Sequence, residues 1–511
     1  MIRYYHTSDI RKADVIAVEK YSFRSLDLME NAGRNAASLI LSSYPNVQNI
    51  TILAGAGNNG GDGFVAARYF TDYGKNVSVI TSAAFDKYKN DALPNLELLI
   101  SSYCGKCTVI PSTALSDEEI TDIISKSDLI VDALLGTGSS GAPRGEISRL
   151  ISFCSDFAPT VSFDIPSGID AESGAVYANS VKADMTVTFL APKIGMAFYP
   201  AKARCGMILT ASIGAEQELV LDGAEYLELF SDRDVKCKVP KLPRTIHKGD
   251  RGGVLIYGGS NNYRGAPILS ALGALRSGAG LVVLAIPDFM IDMASVAVPE
   301  AIFVPLPTSR GSVLHENSLN EITPWLSRCD SIVFGPGIGR EAPLQNVLAY
   351  LLSDVRLPML IDADGLFHLS KIKSISQKNN IVITPHAGEA AALLDISPQE
   401  VNKDRFSAVR KLTEHSGTAL LKGMGTLVSD GVHFRQISEG SPVLAVPGSG
   451  DVLSGAIAAF LASGLSPFDA ASVGASIHAS AGCNLEKIYG TGGTLAREIA
   501  DELRSVLREQ L

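Results

Sequence analysis

LAGAGNNGGDGFVAARYF, Leu53–Phe70, carries a G-x-G-x-x-G at Gly55, Gly57 and Gly60. The apolar run ITIL at 50–53 leads into it, and helix-length text follows. This is the strand–turn–helix of a doubly wound α/β domain, where glycines admit a phosphate close to the backbone and the helix start offers its positive end. A nicotinamide fingerprint also needs an acid about 20 residues on, at the end of the next strand. Here the next run, VSVI at 77–80, ends in Thr81-Ser82-Ala83-Ala84. The glycines alone therefore leave a phosphate cradle and a plain tight turn both open. What the loop adds is polar chemistry: Asn58, Asn59 and Asp62 stand beside them.

Further β-type runs follow at LIVDAL (129–134), VSFDI (161–165) and MTVTFL (185–190), each separated by helix-length text. That rhythm predicts a parallel sheet with crossover helices. Ligands gather beyond the carboxyl ends of such strands. Two more polar strand ends occur there: Asp132 before the loop Gly136–Gly141, and Asp164 followed by Ser167. Each carboxylate alone reads equally well as a turn or cap residue. Three polar strand ends in one domain point to a shared crevice.

From Glu216 to Lys241 the text turns acidic and irregular and ends in KVPKLP, which predicts a linker at 216–241 between domains at 1–215 and 242–511. Beyond it a second alternating set begins with GGVLIYGG at 252–259 and runs through GLVVLAIP, SIVFGPG, PMLIDADG, NIVITPH, TALLKG and TLVSDG. The segments ILSALGALRSGAG and GDVLSGAIAAFLASG read as small-residue helices buried against a sheet. In VPGSGDVLSGAIAAF, Val446–Phe460, the amides of Gly448, Ser449 and Gly450 would form an anion hole at a helix start. Asp451 beside it suits a base that takes a proton from an attacking hydroxyl, although acids are also ordinary first-turn residues. No Walker G-x-x-x-x-G-K-[ST] occurs.

Length and composition agree with this picture. At 511 residues, 46% hydrophobic and 19% charged, the chain is globular and long enough for several cores. A net charge of −10 argues against a general nucleic-acid binder. The first twenty residues interrupt every apolar run with a charge, which excludes a secretory leader, and no uncharged span reaches the roughly 18 residues of a membrane helix. A cytoplasmic location is expected. The seven cysteines form no scaffold pattern, and Cys104 and Cys107 make a single C-x-x-C with no second pair for zinc.

NNGGDG (58–63), VDALLGTG (131–138) and FDIPSGID (163–170) together resemble the YjeF N-terminal, NAD(P)H-hydrate epimerase family over about residues 10–215. The resemblance implies that the dinucleotide is substrate, a hydrated NADH or NADPH, and that no hydride moves. It implies substrate contacts at Asn58, Asn59, Gly60, Gly61 and Asp62, at Gly136, Thr137, Gly138, Ser139, Ser140, Gly141 and Ala142, and at Asp164, which becomes the candidate acid/base. It assigns Asn59, Asp132 and Ser167 as ligands of a potassium ion. Lys193 also falls on a recurring element of that family, but a solvated loop lysine explains it equally well.

The second half resembles the ribokinase-like fold, and within it the ADP/ATP-dependent NAD(P)H-hydrate dehydratases, over about residues 240–505. The resemblance rests on 258–282, FGPGIG (334–339), DADGL (362–366), TPHAGEA (384–390), LLKGMGTLVSD (420–430) and the G-S-G-D motif. The family more often has TPHPGE and DADAL, so Ala387 and Gly365 depart from it without loss of a polar group. It implies nucleotide contacts from Lys422, Gly423, Met424, Gly425, Thr426 and Gly450, and hydrate contacts from Ala266, Gly339, His386 and Asp451, with Mg2+ accompanying ADP or ATP. ADP is favoured, and a homo-oligomer is expected. A vitamin kinase is the rival enzyme, disfavoured because those kinases usually show Asn where this chain has His386. A catalytically silent binding module is the rival for the first half.

Overall fold

The computed structural model describes residues 2–510 apart from 155–156, 242, 244, 246, 310–312, 315–317 and 373–379. The chain folds as two compact units, Ile2–Leu227 and Glu228–Leu511.

In the first unit the strands are β1 (Asn49–Ala54), β2 (Asn76–Thr81), β3 (Cys107–Pro111), β4 (Leu129–Ala133), β5 (Thr160–Phe163), β6 (Met185–Phe189) and β7 (Met207–Ala211). They pair in the order β3-β2-β1-β4-β5-β6-β7, and every pairing is parallel. The order reverses between β1 and β4, so a crevice opens at their carboxyl ends. The central runs were legible because strands buried on both faces read as continuous apolar text. β3 and β7 were not anticipated: they lie at the sheet edges and are only partly buried. Two helices bear on the site, α1 (Thr7–Glu19), which buries Ile10, Ala13 and Ala17, and α2 (Asn58–Asp72).

Two of the three fingerprint glycines, Gly55 and Gly60, turn out to be packing residues, whereas a Cβ on Gly57 would meet nothing within 4 Å. A Cβ on Gly55 would lie 1.9 Å from the carbonyl oxygen of Leu134, and one on Gly60 would lie 1.8 Å from that of Gly55. They let β1, β4 and the first turn of α2 approach backbone to backbone.

The expected linker is regular structure. It holds a helical turn at Gln217–Val220, a strand at Tyr226–Phe230 and a helix at Asp232–Lys238. Ser231 and Asp234 form a reciprocal capping box, and Leu227, Phe230 and Val235 are buried. The acidic composition hid this because the apolar residues between the charges are spaced for two different periods.

In the second unit the sheet includes, as consecutive neighbours, β16-β15-β14-β13-β12-β11-β8-β9-β10, and β16 is not its edge. These are β8 (Gly253–Tyr257), β9 (Leu281–Pro287), β10 (Ile302–Leu306), β11 (Ser331–Phe334), β12 (Met359–Ile361), β13 (Ile381–Ile383), β14 (Thr418–Leu421), β15 (Leu427–Ser429) and β16 (Phe434–Ile437). Pairing is parallel from β10 to β14 and antiparallel at β14–β15 and β15–β16. β10 and β16 escaped the sequence reading.

Its helices include α3 (Gly265–Arg276), α4 (Ala387–Leu394), α5 (Ser449–Ala462) and α6 (Pro467–Tyr489). The two small-residue helices, α3 and α5, pack on each other as well as in the core. A Cβ on Gly455 would stand 1.8 Å from the Ser270 oxygen, and one on Gly273 2.2 Å from the Val452 oxygen. Their glycines thus set a close helix–helix contact. Among the described residues no helix is long and apolar enough to cross a membrane.

Candidate active sites

A cavity of about 750 Å³ opens at the carboxyl ends of β1, β4, β5 and β6. Asn58, Asn59, Asp62, Gly136, Thr137, Gly138, Ser139 and Asp164, all expected substrate contacts, line it. Gly60 and Gly61 lie beneath it as packing residues, while Ser140, Gly141 and Ala142 are exposed and stand outside the lining. Asp14 and Arg11 line it without having been singled out, and Lys193, which reads equally well as a solvated loop lysine, lines it too.

Asp164 follows β5 with φ +66°, a conformation that Asp tolerates better than most residues. This turns its carboxylate into the cavity floor. Oδ2 accepts from the Thr137 amide at 2.7 Å and the Thr137 hydroxyl at 2.6 Å, and Oδ1 pairs with the ammonium of Lys193. Lys193 is fully buried and donates also to the Thr188 hydroxyl at 2.8 Å and the Phe189 carbonyl at 3.1 Å. The solvated-lysine reading is thereby overturned. Burial works against ionisation of Asp164, but Lys193 and the Thr137 donors outweigh it and hold the carboxyl below its usual range.

The other two acids behave oppositely. Burial, seconded by the charge of Asp164, pushes Asp62 well up. Asp14 is pushed up to about 6, also by burial first, even though its side chain is reachable through the open cavity.

Beside this floor Asp132 is completely buried. It accepts from the Ser167 hydroxyl at 2.6 Å, the Ser167 amide at 2.9 Å and the Ser162 hydroxyl at 2.8 Å. The amide nitrogen of Asn59 donates to the carbonyls of Leu135 and Phe163, at 2.9 and 3.2 Å. Its Oδ1 is buried with no hydrogen-bond partner. An orphaned amide oxygen beside two carbonyls and a buried carboxylate is a hard-oxygen set that suits a weakly held monovalent cation.

In the second unit Asp451 sits in the first turn of α5. Gly448 caps the helix with φ +88°, in the left-handed region. The expected anion hole is only partly available. The Ser449 amide donates to the Val446 carbonyl at 3.3 Å, and the Ser449 hydroxyl meets Nε2 of the buried His478 at 3.1 Å. The amides of Gly450 and Asp451 fall where a helix has no internal acceptor.

Facing them is a carboxylate–lysine cluster. Lys422 Nζ lies 2.9 Å from Asp362 Oδ1 and 3.8 Å from Glu389 Oε2. The other oxygen of Asp362, which is 2% exposed, accepts from the Ser454 hydroxyl at 2.5 Å. A Cβ on Gly450 would come within 3.5 Å of Lys422 Nζ and 3.9 Å of Asp362 Oδ2, so this glycine keeps the helix start open to the cluster. Burial, with the neighbouring Asp362, raises Asp451 to about 7, and Lys422 offsets it only in part. Ala363, after Asp362, takes φ +51°, a rare conformation for a residue with a Cβ and one that marks a constrained strand end.

The remaining anticipated residues surround this cluster in less direct ways. His386 caps α4, accepting from the Gly388 amide at 3.0 Å, and its ring stays exposed. Gly339, at φ +83°, donates to Asp364 at 3.1 Å, and its carbonyl meets His368 at 2.9 Å. Ala266 stands in the first turn of α3. Gly423, Met424, Gly425 and Thr426 form the β14–β15 turn, with Met424 exposed. Asp362 and Glu389 were not named as site residues, although both lie inside quoted motifs; what hid them was that their partners come from distant elements. Among the described residues no cluster of three or more His, Cys, Asp or Glu could cage a metal.

Two doubly wound α/β units, each with a buried carboxylate–lysine pair at a strand end, define a two-domain enzyme of small-molecule chemistry. Family models match both halves: the YjeF-related protein N-terminus over residues 25–195, and NAD(P)H-hydrate dehydratase over residues 254–505. A bifunctional NAD(P)H-hydrate repair enzyme from Thermanaerovibrio acidaminovorans is 36% identical over 508 residues, covering 98% of each chain. One from Escherichia coli is 34% identical over 513 residues, covering 99% of this chain and 94% of its own. The chain belongs to the family of bifunctional NAD(P)H-hydrate repair enzymes. Among solved structures, a hypothetical protein from Streptococcus mutans is similar at 25% identity and TM-score 0.50, covering 55% of this chain and 99% of its own. A ribokinase-like superfamily protein from Enterococcus faecalis is similar at 24% identity and TM-score 0.49, covering 56% and 96%.

Proposed function

We propose that the first unit interconverts the R and S hydrates of NADH and NADPH, and that the second dehydrates the S form while ADP is converted to AMP and phosphate. The observation that carries the reading is geometric: each unit sets a buried carboxylate–lysine pair at a strand end, Asp164 with Lys193 in the first and Asp362 with Lys422 beside the helix start of Asp451 in the second. The hydrated carbon bears both a hydroxyl and the ring nitrogen. A carboxylate such as Asp164 that takes the hydroxyl proton lets the carbon–nitrogen bond open to an aldehyde, and reclosure on the other face inverts the centre. The buried Lys193 keeps Asp164 available for this step and stabilises the charge around it.

Asp451 takes the proton of the same hydroxyl as its oxygen attacks the terminal phosphorus of the nucleotide. The Gly450 and Asp451 amides and Lys422 meet the phosphoryl charge. Phosphate then departs with the carbon–oxygen bond, pushed by the nitrogen lone pair, and loss of the adjacent ring proton restores the double bond. Mg2+ would travel with the nucleotide phosphates, which suits a site without a protein-built metal cage. A potassium ion would be held by Asn59 Oδ1 with Asp132 and Ser167, and would supply fixed positive charge beside the Asp164 loop. The test is to incubate the chain with NADH hydrate and ADP and to follow the near-ultraviolet absorbance of the reduced ring. Recovery of absorbance from both epimers is expected; recovery from neither would end the repair reading.

A further inference from the structure

The N-terminal cavity has an unusual charge balance for a pocket meant to take a dinucleotide. Its lining carries four carboxyl groups, Asp14, Asp62, Asp91 and Asp164, and two cations, Arg11 and Lys193. Lys193 is committed to Asp164. Among the described residues no carboxylate pairs with Arg11; its guanidinium donates to the Thr137 carbonyl at 2.9 Å. It stands on the cavity-facing stripe of α1 together with Asp14 and Val18, spaced as one helix face requires.

Two amides of the glycine-rich loop beneath Arg11 are already engaged. The Thr137 amide is bonded to Asp164, and the Ser139 amide to the Gly136 carbonyl at 3.0 Å. Donors around the cavity mouth include the first-turn amides of α2, whose cap is Gly57, and the guanidinium of Arg11. A diphosphate carries two negative charges, and a planar guanidinium suits its paired oxygens. We propose that Arg11 grips the diphosphate bridge of the hydrated dinucleotide against the N-terminus of α2, a role that rests on the epimerase reading above. Arg11 lies outside the matched span of the N-terminal family model, which begins at residue 25.

The test compares the full chain with its Arg11→Gln and Arg11→Lys variants on two substrates, NADH hydrate and the hydrate of reduced nicotinamide mononucleotide, which lacks the diphosphate bridge. Arg11→Gln is expected to raise KM for the dinucleotide hydrate by about tenfold or more, the worth of a charge-assisted hydrogen bond, with kcat nearly unchanged. Arg11→Lys recovers part of that loss, and the mononucleotide hydrate shows little change. Inorganic pyrophosphate competes with the dinucleotide in the parent and loses its hold in Arg11→Gln. An unchanged KM with undiminished pyrophosphate inhibition overturns the proposal, as does a fall in kcat at constant KM, which would make Arg11 a tether of the Thr137 loop alone. Should the parent fail to epimerise at all, the epimerase reading falls instead. Calorimetric titration of pyrophosphate into the parent and Arg11→Gln then still decides whether Arg11 binds it. Dehydratase activity and the thermal midpoint of each variant show that the chain is folded.

Discussion

Asp164 and Asp451 look alike in the sequence, each an aspartate in a glycine-rich turn, and the fold makes them opposites. In the first unit one buried lysine serves one carboxylate, and Asp164 stays ionised. In the second unit one lysine is shared among Asp362, Glu389 and Asp451. Asp362 takes the short contact, and Asp451 is left protonated to about pH 7. The ratio of carboxylates to lysine within reach, together with burial, sets the charge state. The second arrangement matches the proton affinity of Asp451 to neutral pH, whereas the first keeps Asp164 in its proton-accepting form throughout that range.

The largest effect should come from Asp451→Asn. It is expected to lower dehydration by roughly three orders of magnitude while R/S interconversion continues at the parent rate, and Asp164→Asn should do the reverse. Separate assays of the two reactions check this. If either variant silenced both reactions, the two carboxylates would not be independent.

Removing the lysines attacks the comparison at its cause. Lys422→Met leaves the buried Asp362 without its cation and is expected to destabilise the second unit by about 3–5 kcal/mol, read by urea unfolding. Lys193→Met should raise Asp164 into the titratable range and give the epimerase a dependence on pH that the parent lacks.

The pH profiles themselves should differ. A base raised to about 7 makes dehydration climb with pH through about 7 and then level off, while the Asp164 arm of epimerisation is already flat there. Stability has its own sign. The folded pKa of Asp451 lies above its unfolded value of 3.8, so the native state binds the extra proton. The stabilisation is complete below about 3.8 and is lost as pH rises through about 7. Asp451→Asn should therefore melt higher than the parent at alkaline pH, and this advantage should shrink on acidification.

Smallest is Ser454→Ala, which removes one donor from Asp362 while Lys422 remains. A loss of about 2 kcal/mol is expected, together with a modest upward shift of the dehydratase pH profile.

Much of this was legible in the residues. The central strands of both sheets were visible as apolar runs, and Asp132, Asp164 and Asp451 stood out at their ends. Edge strands such as β3, β7 and β10 were missed because half-burial dilutes the pattern. Lys193 was passed over because a lysine in a loop carries no local sign of burial. Thr188 and Phe189 are near it in sequence, but Asp164 becomes its neighbour only when β5 and β6 pair. The fingerprint glycines were visible, but their purpose was not. Whether a glycine receives a phosphate or another backbone depends on what stands opposite it.

The order of apolar runs, turns and acids along the chain was enough to establish two doubly wound units and to mark the strand ends where chemistry collects, because periodicity and turn preference act over a few residues. Tertiary structure alone decided which carboxylate keeps its proton, that the stretch after Glu216 folds into regular elements, and that Arg11 on the first helix faces the Asp164 cavity. Those outcomes depend on charges and donors brought together from distant parts of the chain, and electrostatic energies inside a low-dielectric interior are set by that proximity.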